Sequence, residues 1–313
     1  MSLTVFPVMF LLGATLAASL EGNVIKRFYF DSVGVNAFNL YFYNAVSFIG
    51  SAVVLCLVCD IAAVSVFTFF AAVLFGMVTA LQQIFFMTAV GKGPLSYTSV
   101  LISLSTFIPA LSGAIFWQES VSAVQIAGMV LLVFCFFASS NGKSGQKPRR
   151  GWLSSCLTAF LLTGAIGVMQ KWQQSSPYQS QSAEFLIIAF IVAFAVSLVA
   201  LGFTAHKGGN NVGNATFSSS LIINAPEKRK SAFAFATIAA VLAGASAAVN
   251  NFINLYLSGA MDSAVFFPVV NGGGLMLVTV YSVIFFREKL SPKQWTGLVL
   301  GCVAVVLLCN PFA

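Results

Sequence analysis

The sequence carries very little charge, since only 7% of its 313 residues are Asp, Glu, Lys or Arg. A soluble globular domain carries about a quarter charged residues, so this scarcity excludes a soluble protein. The chain also has a single histidine, His206. It therefore lacks a His–carboxylate cluster, metal-ligand spacing and a nucleophile motif of the kinds that enzymes use. We expect neither an enzyme nor a bound cofactor or metal.

Cysteine is too sparse and too scattered to cross-link the fold. The six cysteines lie within or at the ends of apolar segments, and the C-x-x-C pair Cys56 and Cys59 has no second pair beside it. We interpret them as small apolar packing residues and expect no disulfide framework.

Positive charge is also missing from residues 1–6, where a secretory signal peptide would carry it. The first apolar segment is therefore predicted to be a retained span.

Apolar residues, in contrast, make up 59% of the chain and form long runs. Runs near 20 residues cross about 30 Å of hydrocarbon as helices. Helices are required because backbone groups in lipid must bond within their own segment. The pattern predicts an all-α polytopic membrane protein with ten transmembrane helices. The predicted spans are 4–26, 34–58, 64–90, 94–117, 121–139, 152–173, 182–204, 232–258, 263–286 and 292–310.

Basic residues are distributed unevenly between the two sides that ten crossings define. All of the 15 Lys and Arg residues except Lys171 fall on one side. Cytoplasmic loops concentrate Lys and Arg, so we predict cytoplasmic basic loops and both termini outside, in a cell (plasma or inner) membrane. These loops account for the net charge of +7. The expected partner is therefore the lipid bilayer and not nucleic acid.

The two halves of the chain resemble each other. The pattern Glu–x–x–Ser–x–x–Gln–x–x–Gly occurs at Glu119–Gly128 and again at Glu288–Gly297, and Ala71–Gly91 matches Ala239–Gly259. Apolar helices share few residue types by chance, but these polar types are rare in them. The repeated pattern therefore indicates an internal duplication.

Each half contains five predicted spans, and an odd number inverts the second copy relative to the first. We predict a first repeat at 1–140, a basic cytoplasmic linker at 141–151 and a second repeat at 152–313. Two inverted five-helix repeats are typical of secondary transporters, whose substrate site lies near mid-membrane between the repeats.

The paired motifs, with Gly-x-Gly-Pro-Leu-Ser at Gly91–Ser96, resemble those of the EamA-type transporters of the drug/metabolite transporter superfamily. The resemblance covers essentially the whole chain. It implies a two-fold bundle that transports small metabolites or drugs. It does not specify the substrate, because members move amino acids, nucleotide sugars, purines and drugs. Many members keep both termini in the cytoplasm, whereas the charges here favour both termini outside.

Polar side chains within the apolar segments are the candidate binding residues. Amides and hydroxyls donate and accept hydrogen bonds, which suits a neutral or zwitterionic ligand, although they also join helices to one another. The run Gly272–Gly274 either unwinds to expose backbone or lets a neighbouring helix approach. The candidate substrate-binding residues are Glu21, Asn39, Tyr43, Gln82, Gln83, Tyr97, Asn250, Asn251, Asn254 and Asn271.

The charged residues near the spans have two interpretations each. Glu21 either couples transport to protons or reaches water at the cytoplasmic edge. Lys26 and Lys171 occupy matching places, and each either neutralises an anionic substrate or, as we expect, extends to the headgroups. Glu119 and Glu288 are expected to cap the helices that follow them.

Together these features predict a secondary transporter that moves a small polar organic metabolite by alternating access, with proton coupling through Glu21 as an added hypothesis. The 32 phenylalanines leave a broad-specificity exporter of hydrophobic drugs as an alternative. A non-transporting membrane scaffold is a further alternative. A homodimer is compatible with the sequence, which does not decide the oligomeric state.

Overall fold

The structure is a computed structural model whose described part is helical. The described residues are 13–15, 17, 25, 29, 37–93, 98, 101–139, 149–206, 226–286 and 291–309. Across these ranges the regular secondary structure consists of α-helices and two short 3-10 turns, without a strand. The all-α prediction is confirmed for this part of the chain.

The helices follow the order of the predicted spans. They are α1 (Ala37–Val58), α2 (Val66–Lys92), α3 (Phe107–Phe116), α4 (Ala123–Ser139), α5 (Trp152–Gln174), α6 (Ser182–His206), α7 (Pro226–Ala260), α8 (Ser263–Phe286) and α9 (Pro292–Cys309). The 3-10 turns Leu104–Thr106 and Gln179–Gln181 directly precede α3 and α6. The first predicted span, 4–26, falls almost wholly outside the described residues.

Five helical stretches of the described chain are long and apolar enough to cross a membrane. They are Phe38–Val58, Val66–Lys92, Trp152–Gln174, Gln179–Thr204 and Ala234–Ala260. Shorter apolar helices lie at Leu101–Phe116, Ala123–Cys135 and Pro292–Leu308. The protein is therefore a multi-pass membrane protein.

Helices α4 and α9 begin with the same reciprocal cap. Ser122 N donates to Gln125 Oε1 at 2.9 Å, and Gln125 N donates to Ser122 Oγ at 3.2 Å. Ser291 N donates to Gln294 Oε1 at 2.9 Å, and Gln294 N donates to Ser291 Oγ at 3.4 Å. Each pair satisfies amides that have no partner within their helix. The Ser–x–x–Gln portion of the repeated motif is therefore a helix start signal in both copies.

Helix α7 begins earlier than predicted. The predicted span 232–258 lies inside a helix that covers Pro226–Ala260. The gap between the predicted spans 182–204 and 232–258 was expected to be a loop that contains the basic residues 228–230, and this prediction is wrong for these three residues, which lie in α7. A proline suits the first turn of a helix because its missing N–H needs no partner there.

The chain divides into two compact units. The first unit contains the described residues within Met1–Leu16, Leu81–Ser176 and Ile253–Ala313. The second unit contains those within Ala17–Ala80 and Pro177–Phe252. Each unit draws helices from both predicted repeats, and α2 and α7 each contribute to both units.

Glycines in the second unit let helices approach at backbone distance. A Cβ on Gly76 of α2 would overlap Ala189 O of α6, and a Cβ on Gly244 of α7 would lie 2.5 Å from Ser47 O of α1. Ser51 Oγ also donates to Gly244 O at 2.7 Å. Gly76 and Gly244 are equivalent positions in the two matching sequence segments, so both copies use the same residue type for a close helix contact.

In the first unit, α4 packs against α9. A Cβ on Gly128 would lie 3.0 Å from Leu308 Cγ and 3.1 Å from Ala304 O. On the facing helix, Gly297 O accepts a hydrogen bond from Cys135 Sγ at 2.7 Å. Gly128 and Gly297 are the closing glycines of the two motif copies. In both copies, the motif therefore supplies the cap that starts the helix and a glycine where α4 and α9 pack together.

Candidate functional site

Helix α5 lies against several segments of the first unit along a face of small residues. A Cβ on Gly164 would overlap Ile108, and a Cβ on Gly167 would lie 2.7 Å from Pro109 Cγ. Both contacts bring α5 against α3. This close packing positions the polar residues at the C-terminal end of α5.

A buried ion pair joins the end of α5 to the turn after α3. Lys171 Nζ lies 2.5 Å from Glu119 Oε1, and the two side chains are only 7% and 9% exposed. Lys171 Nζ also donates to Met261 O at 3.1 Å. Because both charges have left the solvent, each depends on the other for its stability.

The Glu119 carboxylate also caps a helix. Its Oε2 accepts a hydrogen bond at 2.7 Å from Ser263 N, the first residue of α8. Gly113 lies directly beside this carboxylate, where a Cβ would overlap Oε2. Gln118 has a φ of 54°, in the left-handed region, and the turn lets Glu119 N donate to Gly113 O at 3.2 Å. The tight turn therefore folds the carboxylate back over α3.

Two predicted roles are wrong. Glu119 does not cap α4, because Ser122 and Gln125 already cap that helix and Glu119 caps α8. Lys171 does not extend to the headgroups, because its ammonium binds Glu119 and the Met261 carbonyl. The partners are far apart in the sequence, so no local pattern predicts the contact.

Helices α2 and α5 meet in the first unit through an amide and a hydroxyl. Gln82 Nε2 donates to Thr163 Oγ1 at 3.1 Å, and Thr163 Oγ1 donates to Ala159 O at 2.7 Å. The neighbouring amide differs, because Gln83 Oε1 is buried without a hydrogen-bond partner among the described residues. Gln82 is therefore bonded within the fold, whereas Gln83 Oε1 has no hydrogen-bond partner among the described residues.

Three glutamines at the end of α5 are buried and were not selected from the sequence. Gln170, Gln173 and Gln174 are 6%, 0% and 8% exposed. Gln174 packs on α7, where a Cβ on Gly259 would lie 2.8 Å from Gln174 Cβ. The sequence could have indicated these residues, because three amide side chains within five residues are unusual at the end of an apolar span.

Asn39 and Tyr43, both predicted binding residues on α1, are buried in the second unit. Tyr29 brings them together: its hydroxyl donates to Asn39 O at 2.9 Å, and its ring centroid lies 4.9 Å from that of Tyr43. Sequence reasoning did not select Tyr29. Its contacts show that these two predicted binding residues pack against an aromatic side chain of the protein itself.

The predicted asparagines of α7 and α8 differ in exposure. Asn250 and Asn251 belong to the second unit and Asn254 to the first, and all three are half-buried. Asn251 Nδ2 donates to the carbonyl one turn earlier at 2.9 Å. Asn271 of α8 is exposed and makes the same kind of bond at 3.0 Å. These two amides therefore partly satisfy themselves on their own helices.

The triple-glycine run does not unwind its helix. Residues 272–274 lie within α8, which continues from Ser263 to Phe286. A Cβ on Gly272 would lie 2.9 Å from Leu132 Cδ1 of α4. Of the two interpretations, close approach of a neighbouring helix is the one that applies at Gly272.

Four residues selected from the sequence lie outside the described part of the chain: Glu21, Lys26, Tyr97 and Glu288. Proton coupling through Glu21 and substrate binding by Tyr97 therefore stay predictions. Within the described ranges, no group of three or more His, Cys, Asp or Glu side chains is placed to hold a metal ion.

Cys59, just beyond the end of α1, has an unreactive environment. Burial raises the pKa of its thiol, and the nearby Glu184, Asp60 and Cys56 raise that pKa further. Glu184 is held in place because Ala62 N donates to its Oε1 at 2.7 Å. Since the thiolate is the nucleophile, this thiol is poorly suited to covalent chemistry at neutral pH.

Comparison with known proteins gives a fold and no family. No protein-family model matches the chain, and no curated protein matches it. Among solved structures, the chain is similar to one described only as "Crystal structure of protein", with a TM-score of 0.64 and 11% identity over 97% of this chain and 96% of that one. At this identity the similarity is one of fold alone.

The described polar groups of the first unit differ in their partners. Glu119 and Lys171 neutralise each other, and Gln82 is bonded to Thr163. Gln83 Oε1, on a helix long and apolar enough to cross a membrane, has no hydrogen-bond partner among the described residues. Such a group is suited to a ligand that donates a hydrogen bond.

Proposed function

We propose that this protein is a secondary transporter that moves a small polar organic metabolite, neutral or zwitterionic, across a membrane by alternating access. The observation that carries the proposal is the buried, unpartnered Oε1 of Gln83 on membrane-spanning α2. A buried acceptor without a partner costs about 1–3 kcal/mol. A ligand with a hydrogen-bond donor offsets that cost when it binds.

The repeated contacts support an inverted-repeat arrangement. Gly76 and Gly244 occupy equivalent positions and both sit at close helix contacts. The equivalent pairs Ser122–Gln125 and Ser291–Gln294 make the same cap. In each of the packed pairs α1–α6, α3–α8 and α4–α9, one helix comes from each predicted repeat. Such repeats permit alternating access by exchanging conformations.

The orientation in the proposal follows the charges, with basic loops in the cytoplasm and both termini outside. The resemblance to EamA-type transporters agrees with a metabolite substrate. Because no family model matches, the proposal depends on the residues of this chain and not on family membership.

A ligand screen on two matched variants tests the proposal. The full-length protein in detergent is screened by thermal unfolding against a metabolite library, since a ligand stabilises the state that it binds. Gln83→Met removes an unpartnered acceptor at similar volume. We expect its unfolding temperature without ligand to be unchanged or higher, and its affinity for the hit compound to fall about tenfold, the effect of losing one hydrogen bond.

Gln82→Met is the control, because it removes the bond to Thr163 and should lower stability by about 1 kcal/mol without ligand. Uptake of the hit compound into proteoliposomes then measures transport. If no metabolite shifts the unfolding temperature, or Gln83→Met binds the hit as tightly as the parent, the proposal fails. Stabilisation by lipophilic cations alone would favour the drug exporter.

Proton coupling is a separate element of the proposal. A carboxylate within an apolar span is costly unless it has a role or reaches water. Uptake driven by a pH gradient should therefore be lost in Glu21→Gln while exchange of substrate persists. Gradient-driven uptake at the parental rate would remove Glu21 from the mechanism.

A further inference from the structure

Three positive charges lie together at the N-terminal end of α5, the opposite end from Lys171. Lys92 ends α2, and Arg149 and Arg150 come shortly before α5. These three residues are called the basic cluster below. Because α5 has 23 residues, roughly 34 Å separates its ends. The basic cluster and the buried ion pair therefore lie at opposite ends of a helix long enough to cross a membrane.

The basic cluster is held in place by backbone and aromatic contacts. Arg149 N donates to Lys92 O at 2.8 Å. Trp152, the first residue of α5, packs so closely on Gly93 that a Cβ there would overlap the indole. Trp152 Nε1 also donates to Thr98 Oγ1 at 3.0 Å. These contacts fix the segment before α5 against the end of α2 and bring the charges together.

Nothing in the described protein neutralises the basic cluster. None of its three side chains has an ion pair or a hydrogen bond with another described residue. Both arginines are exposed. Lys92 Nζ lies 3.5 Å from where a Cβ on Gly151 would be. It thus lies close to the backbone at the N-terminal, positive end of α5, which is unfavourable without an anion nearby.

We propose that Lys92, Arg149 and Arg150 bind the phosphate of an anionic phospholipid in the leaflet that faces this end of the first unit. Guanidinium groups form paired hydrogen bonds with phosphate, and lysine adds a compact charge. The basic cluster lies at the ends of α2 and α5, two helices long and apolar enough to cross a membrane. Headgroups meet such helix ends, and Trp152 is a residue type enriched there. Basic pockets between helices at this depth bind anionic headgroups.

Lipid retention in native mass spectrometry tests this proposal. The full-length protein is reconstituted with phosphatidylcholine containing phosphatidylglycerol, and the bound lipids are counted. We expect the parent to retain phosphatidylglycerol selectively over phosphatidylcholine. Each positive charge contributes about fivefold to the affinity for an anionic surface. The triple variant K92Q/R149Q/R150Q should therefore lose affinity for this lipid on the order of a hundredfold.

The control removes the same charge elsewhere on the predicted basic side. K228Q/R229Q/K230Q changes three residues in the first turns of α7 and should keep the selectivity for phosphatidylglycerol. Equal losses in both triple variants would overturn the proposal, because they would show diffuse attraction to the surface. A parent that retains no phosphatidylglycerol would overturn it as well.

Thermal unfolding separates a lipid from a free anion and checks that the variants fold. Soluble short-chain phosphatidylglycerol should stabilise the parent and not K92Q/R149Q/R150Q, whereas inorganic phosphate should stabilise neither at equal concentration. Stabilisation by inorganic phosphate to the same extent would overturn the lipid assignment. If the triple variant does not fold, R150Q alone is measured, and an unchanged affinity for the lipid counts against the site.

Discussion

Removing one partner of the ion pair between Glu119 and Lys171 should destabilise the protein strongly. In Lys171→Met the carboxylate of Glu119, only 9% exposed, keeps the Ser263 N–H but loses its cation. Breaking a buried pair in this way costs about 3–5 kcal/mol. Solvent does not screen groups this deeply buried, so we expect the full range to apply.

The double variant separates charge from packing. Glu119→Gln keeps an acceptor for Ser263 N, and combining it with Lys171→Met removes both charges at similar volume. Replacing a buried pair by neutral groups is often neutral or stabilising. The double variant should therefore lie within about 2 kcal/mol of the parent, with a large coupling between the two sites.

In a background where Cys56, Cys59, Cys302 and Cys309 are serine, a thiol-reactive dye reads out the unfolding, because Cys135 and Cys156 are buried in the first unit and become reactive only when it opens. Lys293→Met, an exposed cation on α9, is the control and should change stability by no more than about 0.5 kcal/mol. The reasoning is refuted if Lys171→Met unfolds at the temperature of the parent. It is also refuted if the double variant is less stable than both single variants.

Three further outcomes follow from local geometry. Gly244→Ala should lower the unfolding temperature, because its Cβ would meet a backbone carbonyl of α1. Gly202→Ala has nothing within 4 Å of its Cβ and should stabilise the protein by up to about 1 kcal/mol, because alanine favours helix more than glycine. A reversal of the two signs would contradict the packing. Gln118→Gly should stabilise the protein against thermal unfolding by about 1 kcal/mol, because φ is positive at this position and glycine adopts that region without strain. A loss of stability would show that contacts of the Gln118 side chain outweigh the backbone strain. Cys59 can be studied in a variant whose other exposed cysteines are serine. Its alkylation should be slow at pH 7.5 and should accelerate only at a higher pH than for an ordinary thiol, because the raised pKa keeps the thiol protonated. A pH profile like that of an ordinary thiol would exclude the raised pKa.

The sequence alone determined the class of protein and the positions of most helices. Long apolar runs can satisfy their backbone groups in lipid only as helices, so the approximate positions of these helices can be predicted without the structure. The repeated motif contained Ser122 and Ser291, but we expected the caps of the following helices to be Glu119 and Glu288, whereas Ser122 and Ser291 cap α4 and α9 in the structure. The start of α7 was misplaced since charged residues resemble a loop when only composition is considered.

Tertiary structure decided which polar residues bond within the fold and which have no partner among the described residues. Adjacent residues Gln82 and Gln83 are equivalent by composition, but only Gln82 meets Thr163, because helices face one another through specific sides. Likewise, the sequence does not show that Lys171 binds Glu119, since their meeting depends on how α5 packs against the turn after α3. Local patterns set the helices, whereas the cost of burying charge and amide groups selects partners that only the packed structure brings together.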